Sequence, residues 1–532
     1  MRSEESVAGH RDPAAPRQGE GVGVPAGLPA FALAPWTTGP GPALLTAPGP
    51  DVGAVTQCWS YDVLAARVAA LAHQLRAQGL APGALVAVPE RPVAGLVLMQ
   101  HSLARVGAAL LPLRAAPQDP GAQVYGDAAD RAAGHSLRAA PQDPGAGALL
   151  ALTGAEWLWH WDGLAGGCLT RLARSGAAPS SVPASCAADW PSPLALVVET
   201  SGSTGVPRAA MLTQHNLLAA AALSNGHLGL GAGDCWLCCL ALRHIGGLAI
   251  GYRCALAGAA VLLHAGFDAG RVAADLARHA VTHLSLVPPM LARLLALGCP
   301  PPPSLRVLLV GGQALGTRLA AQALAAGWPL HVTYGMTETA SQVATSGRLH
   351  APPAAGRVAP PLAGLAVDCP AGASVPAPLR IRGPVVMAGY ANPGRRPGQG
   401  LRDGWFTTSD LARRSDDGVL CILGRADEVL VTGGVKVHPA VVESLLAAAP
   451  GVGSVAVVGV ADPVWGQRLV ALYTGEASPA ALEEWCRAHL AGPQRPRAFR
   501  PQAELPVLDS GKLDRWRLRA LAAAGALPEL PG

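Results

Sequence analysis

The sequence predicts an α/β multidomain protein: a large N-terminal domain of layered α/β subdomains, followed by a small α+β C-terminal domain. Three observations carry this. The chain has 532 residues, too many for a single core. Between 194 and 345, apolar strand-like runs alternate with helix-spaced segments, the pattern of mainly parallel strands under helices. After Gly424-Arg425 the strand and helix patterns restart in a unit of about a hundred residues, an ordinary domain size.

The elements follow in order. Residues 1–35 read as a disordered leader, with the large domain spanning 36–425. Residues 61–79 have helical apolar spacing and stop at Gly79; 84–88, ALVAV, reads as a buried strand and 92–107 as the next helix. The string LRAAPQDPGA stands at 113–122 and again at 137–146. Two copies are too few for a solenoid, so 113–146 reads as a local duplication in a poorly ordered surface loop. LALVV at 194–198 is a strand, a helix starts near 215, and strands follow at 236–241, 281–287 and 304–312 before a helix to 327. Residues 352–400 are rich in Pro and Gly with short strand-like pieces. The small domain, 427–532, carries EVLVTGG, a helix at 439–449, SVAVVGV, LVALYTG, a helix at 479–491 and a basic tail.

Composition excludes several classes. Charged residues are 14% and the net charge is +5, with no basic tract, so nucleic acid is not an expected partner. The N-terminus lacks the apolar segment of a secretory signal. The most apolar region, 235–266, is broken by Arg243, His244 and Arg253, so no membrane insertion is expected and the location reads as cytoplasmic. The 11 cysteines are odd in number and scattered, which fits reduced thiols; Cys235-x-x-Cys238 with Cys239 beside it reads as buried strand thiols, not a metal site.

Four strings carry chemistry. TSGSTGVPR, Thr200 to Arg208, sits directly after a buried strand pattern; glycines turn successive N–H groups inward and hydroxyls add donors, which suits a polyphosphate. HVTYGMTETASQVA at 331–344 offers Tyr334 and Gly335 as a strand end with an aromatic face, Thr337 as a phosphate donor and Glu338 as an oxygen ligand for Mg²⁺. FTTSDLARR and GRADEVLVTGGVKVHP put Asp410 and Arg425 near an expected ribose. LPVLDSGKLDR offers Lys512 in a Gly-containing turn. Each string alone reads equally as a linker, turn or surface segment.

Together and in this order they resemble the adenylate-forming (AMP-binding) superfamily of acyl-CoA synthetases, adenylation domains and luciferases, from about residue 55 to 520. The resemblance implies a small β-barrel-like part within the large domain and a mobile C-terminal domain. It implies that Thr200, Ser201, Gly202, Ser203, Thr204, Gly205 and Arg208 hold the ATP β/γ-phosphates, and that Gly311, Gly312, Tyr334 and Gly335 flank the adenine. Thr337 would touch the α-phosphate, Glu338 the Mg²⁺, Asp410 and Arg425 the ribose. Asp427 would be the hinge, Gly434 and Lys436 the face presented for thioester formation, and Lys512 the cation bridging acyl carboxylate and phosphates. The implied partners are a carboxylic acid, ATP and coenzyme A; a homo-oligomer stays open.

Within that superfamily TYGMTETASQ, and RHIGGLAIGYR around His244, are similar to the o-succinylbenzoate–CoA ligases of menaquinone biosynthesis. His244 is then a candidate acyl-pocket residue; taken alone it reads as a core histidine at a strand end. The sequence departs from the family at Arg208, where the usual residue is Lys, at Ser409, where it is Gly, and by lacking Gly-Glu before IRGP. The alternatives are a ligase for another aryl or medium-chain acid, a standalone enzyme loading a carrier protein, and an inactive nucleotide-binding protein.

Overall fold

The computed structural model describes residues 42–46, 57–114, 144–162, 167–172, 192–200, 208–372, 375–391, 395–508 and 512–524. The expected leader and most of the duplicated segment lie outside them. The end of the second copy begins the helix Pro144–Thr153, where a loop was expected.

Two large sheets sandwich a layer of helices. One has eight described strands, in the order 341–345, 330–336, 307–310, 283–286, 235–238, 260–263, 42–46 and 57–60, parallel except at its two edges. The other has seven: 389–390, 208–213, 194–200, 109–113, 85–89, 157–161 and 167–171. The helices Tyr61–Ala77, Val93–Val106, Gln214–Leu228 and Ile245–Ala257 lie between them, and their apolar spacing becomes packing. Leu64, Val68, Leu96, Leu217 and Leu248 share one core with Val86 and Leu110 of the second sheet and Trp236 and Val261 of the first.

The period of two in the strands decides which core each side chain joins. Val86 and Val88 enter the central core, while Leu85 and Ala87 enter the outer one under Pro144–Thr153. Trp236 and Cys238 point inward, and Cys235 and Leu237 point to the outer helices Ala269–Arg278, Pro288–Leu295 and Thr317–Ala325. This is why these strands read as continuous apolar runs: both faces are buried. Burial also raises the Cys235 and Cys238 thiols to about 12, in keeping with inert core cysteines.

A third, antiparallel sheet of Ala366–Asp368, Ala377–Arg382, Leu401–Arg402, Trp405–Arg414 and Leu420–Arg425 stands where the small all-β part was expected. The last sheet, 430–437 with the long hairpin Val452–Asp462 and Gly466–Gly475 and the strand Ala498–Pro501, has a core on each face. Val457 and Leu469 pack on helices Pro439–Leu446 and Pro479–His489, Val458 and Val470 against Arg515–Ala524.

The structure adjusts three local details. The strand expected at 236–241 is Cys235–Cys238, and the chain then turns toward His244. The helix expected near 215 starts at Gln214, capped by Thr213, and a strand not expected from the sequence, Arg208–Thr213, precedes it. The helices end slightly earlier than expected, at Ala77, Ala325, Leu446 and His489.

Candidate active site

The carboxyl ends of the parallel strands converge on one edge, where α/β sheets place ligands. Strand Val307–Val310 delivers Gly311 and Gly312 there, strand Leu330–Met336 delivers Tyr334 and Gly335, and the turn after Cys235–Cys238 delivers His244, the N-cap of helix Ile245–Ala257. Gly311 is forced by close approach, since a Cβ would lie 2.6 Å from the Thr333 side chain, and Gly312 has φ +80°. Gly335 is tighter still, its Cβ falling 1.5 Å from the Ser341 carbonyl oxygen. Opposite it, Ala340 and Ser341 hold left-handed φ of 49° and 110°. Strained non-glycine backbone of this kind gathers at functional sites.

The glycine-rich string spans a hairpin. Thr200 pairs directly with Arg208 across the antiparallel strands Leu194–Thr200 and Arg208–Thr213. Ser201, Gly202, Ser203, Thr204 and Gly205 lie outside the described residues. Strand Gly389–Tyr390 pairs with the same edge, Tyr390 opposite Ala210. Arg208 stacks its guanidinium 5.5 Å from the Tyr390 ring centroid. The Tyr390 hydroxyl donates to Glu338 Oε1 at 2.8 Å. Burial, and then the Glu338 carboxylate, push that phenol above the ordinary tyrosine range.

Asp410 and Arg425 are direct cross-strand partners in the third sheet. The Tyr334 hydroxyl donates to Asp410 Oδ2 at 2.6 Å, and Arg425 Nη1 lies 3.6 Å from Oδ1. Burial raises the Tyr334 phenol well above its usual range, with the Asp410 charge adding to it. Arg425 also grips Asp427 with two hydrogen bonds, Nε to Oδ1 at 2.9 Å and Nη2 to Oδ2 at 2.6 Å. Burial opposes the Arg425 charge, but Asp427 and Asp410 outweigh it. Ser409 faces outward between buried Thr408 and half-buried Asp410, so the Gly-to-Ser departure costs this arrangement nothing.

Lys512 completes the cluster from the smaller sheet's side. It is half-buried, and its electrostatic neighbours are Asp410, Arg425, Glu338 and Glu428. Burial lowers its ammonium below the ordinary lysine value, with Arg425 pushing the same way and the carboxylates pulling back. Residues far apart in sequence, 334, 338, 410, 425 and 512, therefore meet. Gly434 and Lys436 do not join them: they sit on the exposed hairpin Leu430–Val437, where Gly433 and Gly434 turn with φ +55° and +77°.

Among the described residues no group of three or more His, Cys, Asp or Glu could by itself hold a metal. Glu338 suits a hard cation that takes most of its ligands from phosphates and water: it is a lone, half-buried carboxylate with one oxygen fixed by Tyr390. No helix of the described residues is long and apolar enough to cross a membrane.

Two residues at this edge carried no role in the sequence reading. Tyr390 ends PLRIRGPVVMAGY at 378–390, one of the strand-like pieces of the Pro/Gly-rich stretch, but only strand pairing brings it to Arg208. Arg253 is 2% exposed on helix Ile245–Ala257. Its guanidinium lies 5.3 Å from the Trp236 ring centroid and donates to the Ser341 hydroxyl at 2.9 Å. Among the described residues its Nε has no hydrogen-bond partner, and no carboxylate pairs with it. An arginine interrupting the apolar run 235–266 was the available signal.

Known proteins with this arrangement are informative. 2-Succinylbenzoate–CoA ligase of Bacillus cereus is 34% identical over 334 residues, 61% of this chain and 69% of the relative. O-succinylbenzoate coenzyme A synthetase (MenE) from Bacillus subtilis, solved with ATP and magnesium ion, superposes with a TM-score of 0.69 at 25% identity over 90% of this chain and 96% of that one. A variant of E. coli MenE with bound OSB-AMS gives 0.69 at 27% identity over 91% and 96%. Residues 47–391 match the AMP-binding enzyme family and 441–512 its C-terminal domain, and the chain belongs to the AMP-binding enzyme family.

Proposed function

We propose that the chain is an AMP-forming acid–CoA ligase that converts o-succinylbenzoate, ATP and CoA to o-succinylbenzoyl-CoA, AMP and pyrophosphate in menaquinone biosynthesis. The observation that carries this is the convergence of half-buried Lys512 with Asp410, Arg425 and Glu338, which supports reading them as the bridging cation, the ribose acceptors and the metal carboxylate. The B. cereus and E. coli relatives supply the acid.

In the first step an acid oxygen attacks the α-phosphorus of ATP, and the bond to pyrophosphate breaks. The loop Thr200–Arg208 holds the β- and γ-phosphates; Gly311, Gly312, Tyr334 and Gly335 flank the adenine; Asp410 with Arg425 takes the ribose hydroxyls. Thr337 donates to the α-phosphate. Lys512 bridges the acid and the phosphates, and a desolvated ammonium aimed at developing charge is worth more there than in water. Mg²⁺ held at Glu338 would offset phosphate charge. In the second step the CoA thiol attacks the acyl carbon and AMP leaves with the bonding pair. The small domain, 427–532, rotates about Asp427 relative to 36–425, withdrawing Lys512 and bringing Gly434 and Lys436 inward.

Arg253 favours o-succinylbenzoate over a fatty acid. A buried guanidinium without a carboxylate is costly, and the second carboxylate of a dicarboxylic acid would repay it. His244, immediately before the same helix, belongs to the acyl side of this scheme. A cytoplasmic enzyme fits the described cysteines, which are free thiols.

The test is o-succinylbenzoate-dependent pyrophosphate release, with and without CoA, and mass detection of the thioester. Thioester formed in preference to benzoate, succinate and fatty-acid controls supports the reading. Turnover with another acid only keeps the ligase and discards the substrate. Acyl transfer to a carrier protein but not CoA indicates a loading enzyme, and ATP binding without turnover an inactive one.

A further inference from the structure

Glu338 stands on a single 3₁₀ turn, Thr337–Thr339. A glutamate there has free side-chain rotors, and a metal carboxylate that wanders loses affinity. The segment Met387–Tyr390 grips it at both ends. Met387 N donates to the Glu338 carbonyl at 2.8 Å, and the Tyr390 hydroxyl donates to Oε1 at 2.8 Å.

Tyr390 is itself closely held. Its backbone N–H donates to the Gln399 carbonyl at 2.8 Å. Phe406 meets its ring edge-on, with centroids 6.3 Å apart. A Cβ at Gly400 would come within 2.6 Å of the ring, so glycine is required for the ring to lie there. Arg208 covers the ring face because Ala210 is opposite Tyr390 and Arg208, two residues earlier, shares Ala210's side of the sheet. The residue closing the phosphate loop and the carboxylate on the 3₁₀ turn therefore meet on one phenol ring.

We propose that Tyr390 is a positioning residue that fixes one oxygen of Glu338, leaving the other for the divalent cation that accompanies ATP. The inference rests on the proposed ATP-dependent function. Hydrogen bonds of this kind, one layer behind a metal ligand, typically carry 10–100-fold in metal affinity. They do so by removing the ligand's orientational freedom before the metal arrives.

The test is Mg²⁺-dependent binding of α,β-methylene-ATP to the full chain, followed by calorimetry. Tyr390→Phe keeps the ring, its stacking and its packing, and removes only the hydroxyl. It should raise the Mg²⁺ concentration for half-maximal tightening about 10-fold or more, with metal-free nucleotide affinity and Tm unchanged. Glu338→Gln should abolish the Mg²⁺ dependence, and adding Tyr390→Phe to it should change nothing further. Equal weakening with and without Mg²⁺, additive effects of the two substitutions, or an unchanged Mg²⁺ requirement in Tyr390→Phe would each overturn the positioning role. Absence of nucleotide binding to the unsubstituted chain would instead overturn the proposed function, and this inference with it.

Discussion

At the scale of the residue, Lys512 is the most telling. The chain has 40 Lys and Arg together, yet only Lys436 and Lys512 are lysines. Arginine serves nearly everywhere a cation is needed, the phosphate loop included, so the compact ammonium at 512 answers a requirement that a planar fork does not meet. Lys512→Ala is expected to slow acyl-adenylate formation about 10²–10³-fold, as loss of one transition-state donor does. Thioester formation from supplied acyl-adenylate should remain, because the proposed mechanism uses Lys512 in the first step alone. Half-reaction assays decide this; equal loss of both would remove the assigned role. Burial also fixes a pH sign. The lowered ammonium pKa means Lys512 loses its proton earlier as pH rises, so kcat/KM for pyrophosphate release should fall on the alkaline side below the ordinary lysine value of about 10.4. Lys512→Arg, which keeps its charge, should lose that limb along with part of the rate.

Arg253 invites a second residue-scale measurement. Arg253→Leu should raise the KM for o-succinylbenzoate at least 10-fold while leaving ATP affinity alone, since a buried site built for a polar partner discriminates strongly when that partner is lost. A KM effect shared equally with a monocarboxylic acid would count against pairing with the second carboxylate.

At the scale of the element, the site depends on where backbones can approach. Gly335 pairs with Gln342, next to Ser341, in the antiparallel pair Leu330–Met336 and Ser341–Thr345. A methyl group there would sit 1.5 Å from a backbone oxygen, which no rotamer change relieves. Gly335→Ala should therefore cost about 3 kcal/mol or more, in the range of severe core changes, and abolish ATP binding; a urea midpoint near that of the unsubstituted chain would show that the hairpin yields more easily. The sequence carried the glycines as a motif, but their reason is the crossing of two strands. The same holds for Asp410 and Arg425, which strand pairing sets face to face.

At the scale of the molecule, the described arrangement sets Lys512 near Asp410 and Glu338, as the proposed first step requires. A contact between the two parts supports it: Arg318 Nη1, on helix Thr317–Ala325, donates to the Val452 carbonyl at 2.7 Å. Arg318→Ala should weaken this arrangement by about 1 kcal/mol, slowing acyl-adenylate formation severalfold and leaving thioester formation unchanged or faster. Asp427→Pro should do the reverse, because the restricted φ opposes rotation; a second step as fast as in the unsubstituted chain would move the hinge elsewhere.

By itself the sequence determined the α/β layering, the restart after Arg425, and the residue types offered by TSGSTG, TYGMTE, TSD and GKLDR. These are local properties: period, turn residues and side-chain type are written along the chain. Tertiary structure decided which of them meet. It paired strand Arg208–Thr213 with Leu194–Thr200, placed Tyr390 between Arg208 and Glu338, and buried Arg253 without an acid among the described residues. The last two depend on strand pairing and helix packing between segments far apart in sequence, and no local pattern specifies a contact whose second partner lies 52 residues away, as Tyr390 does from Glu338.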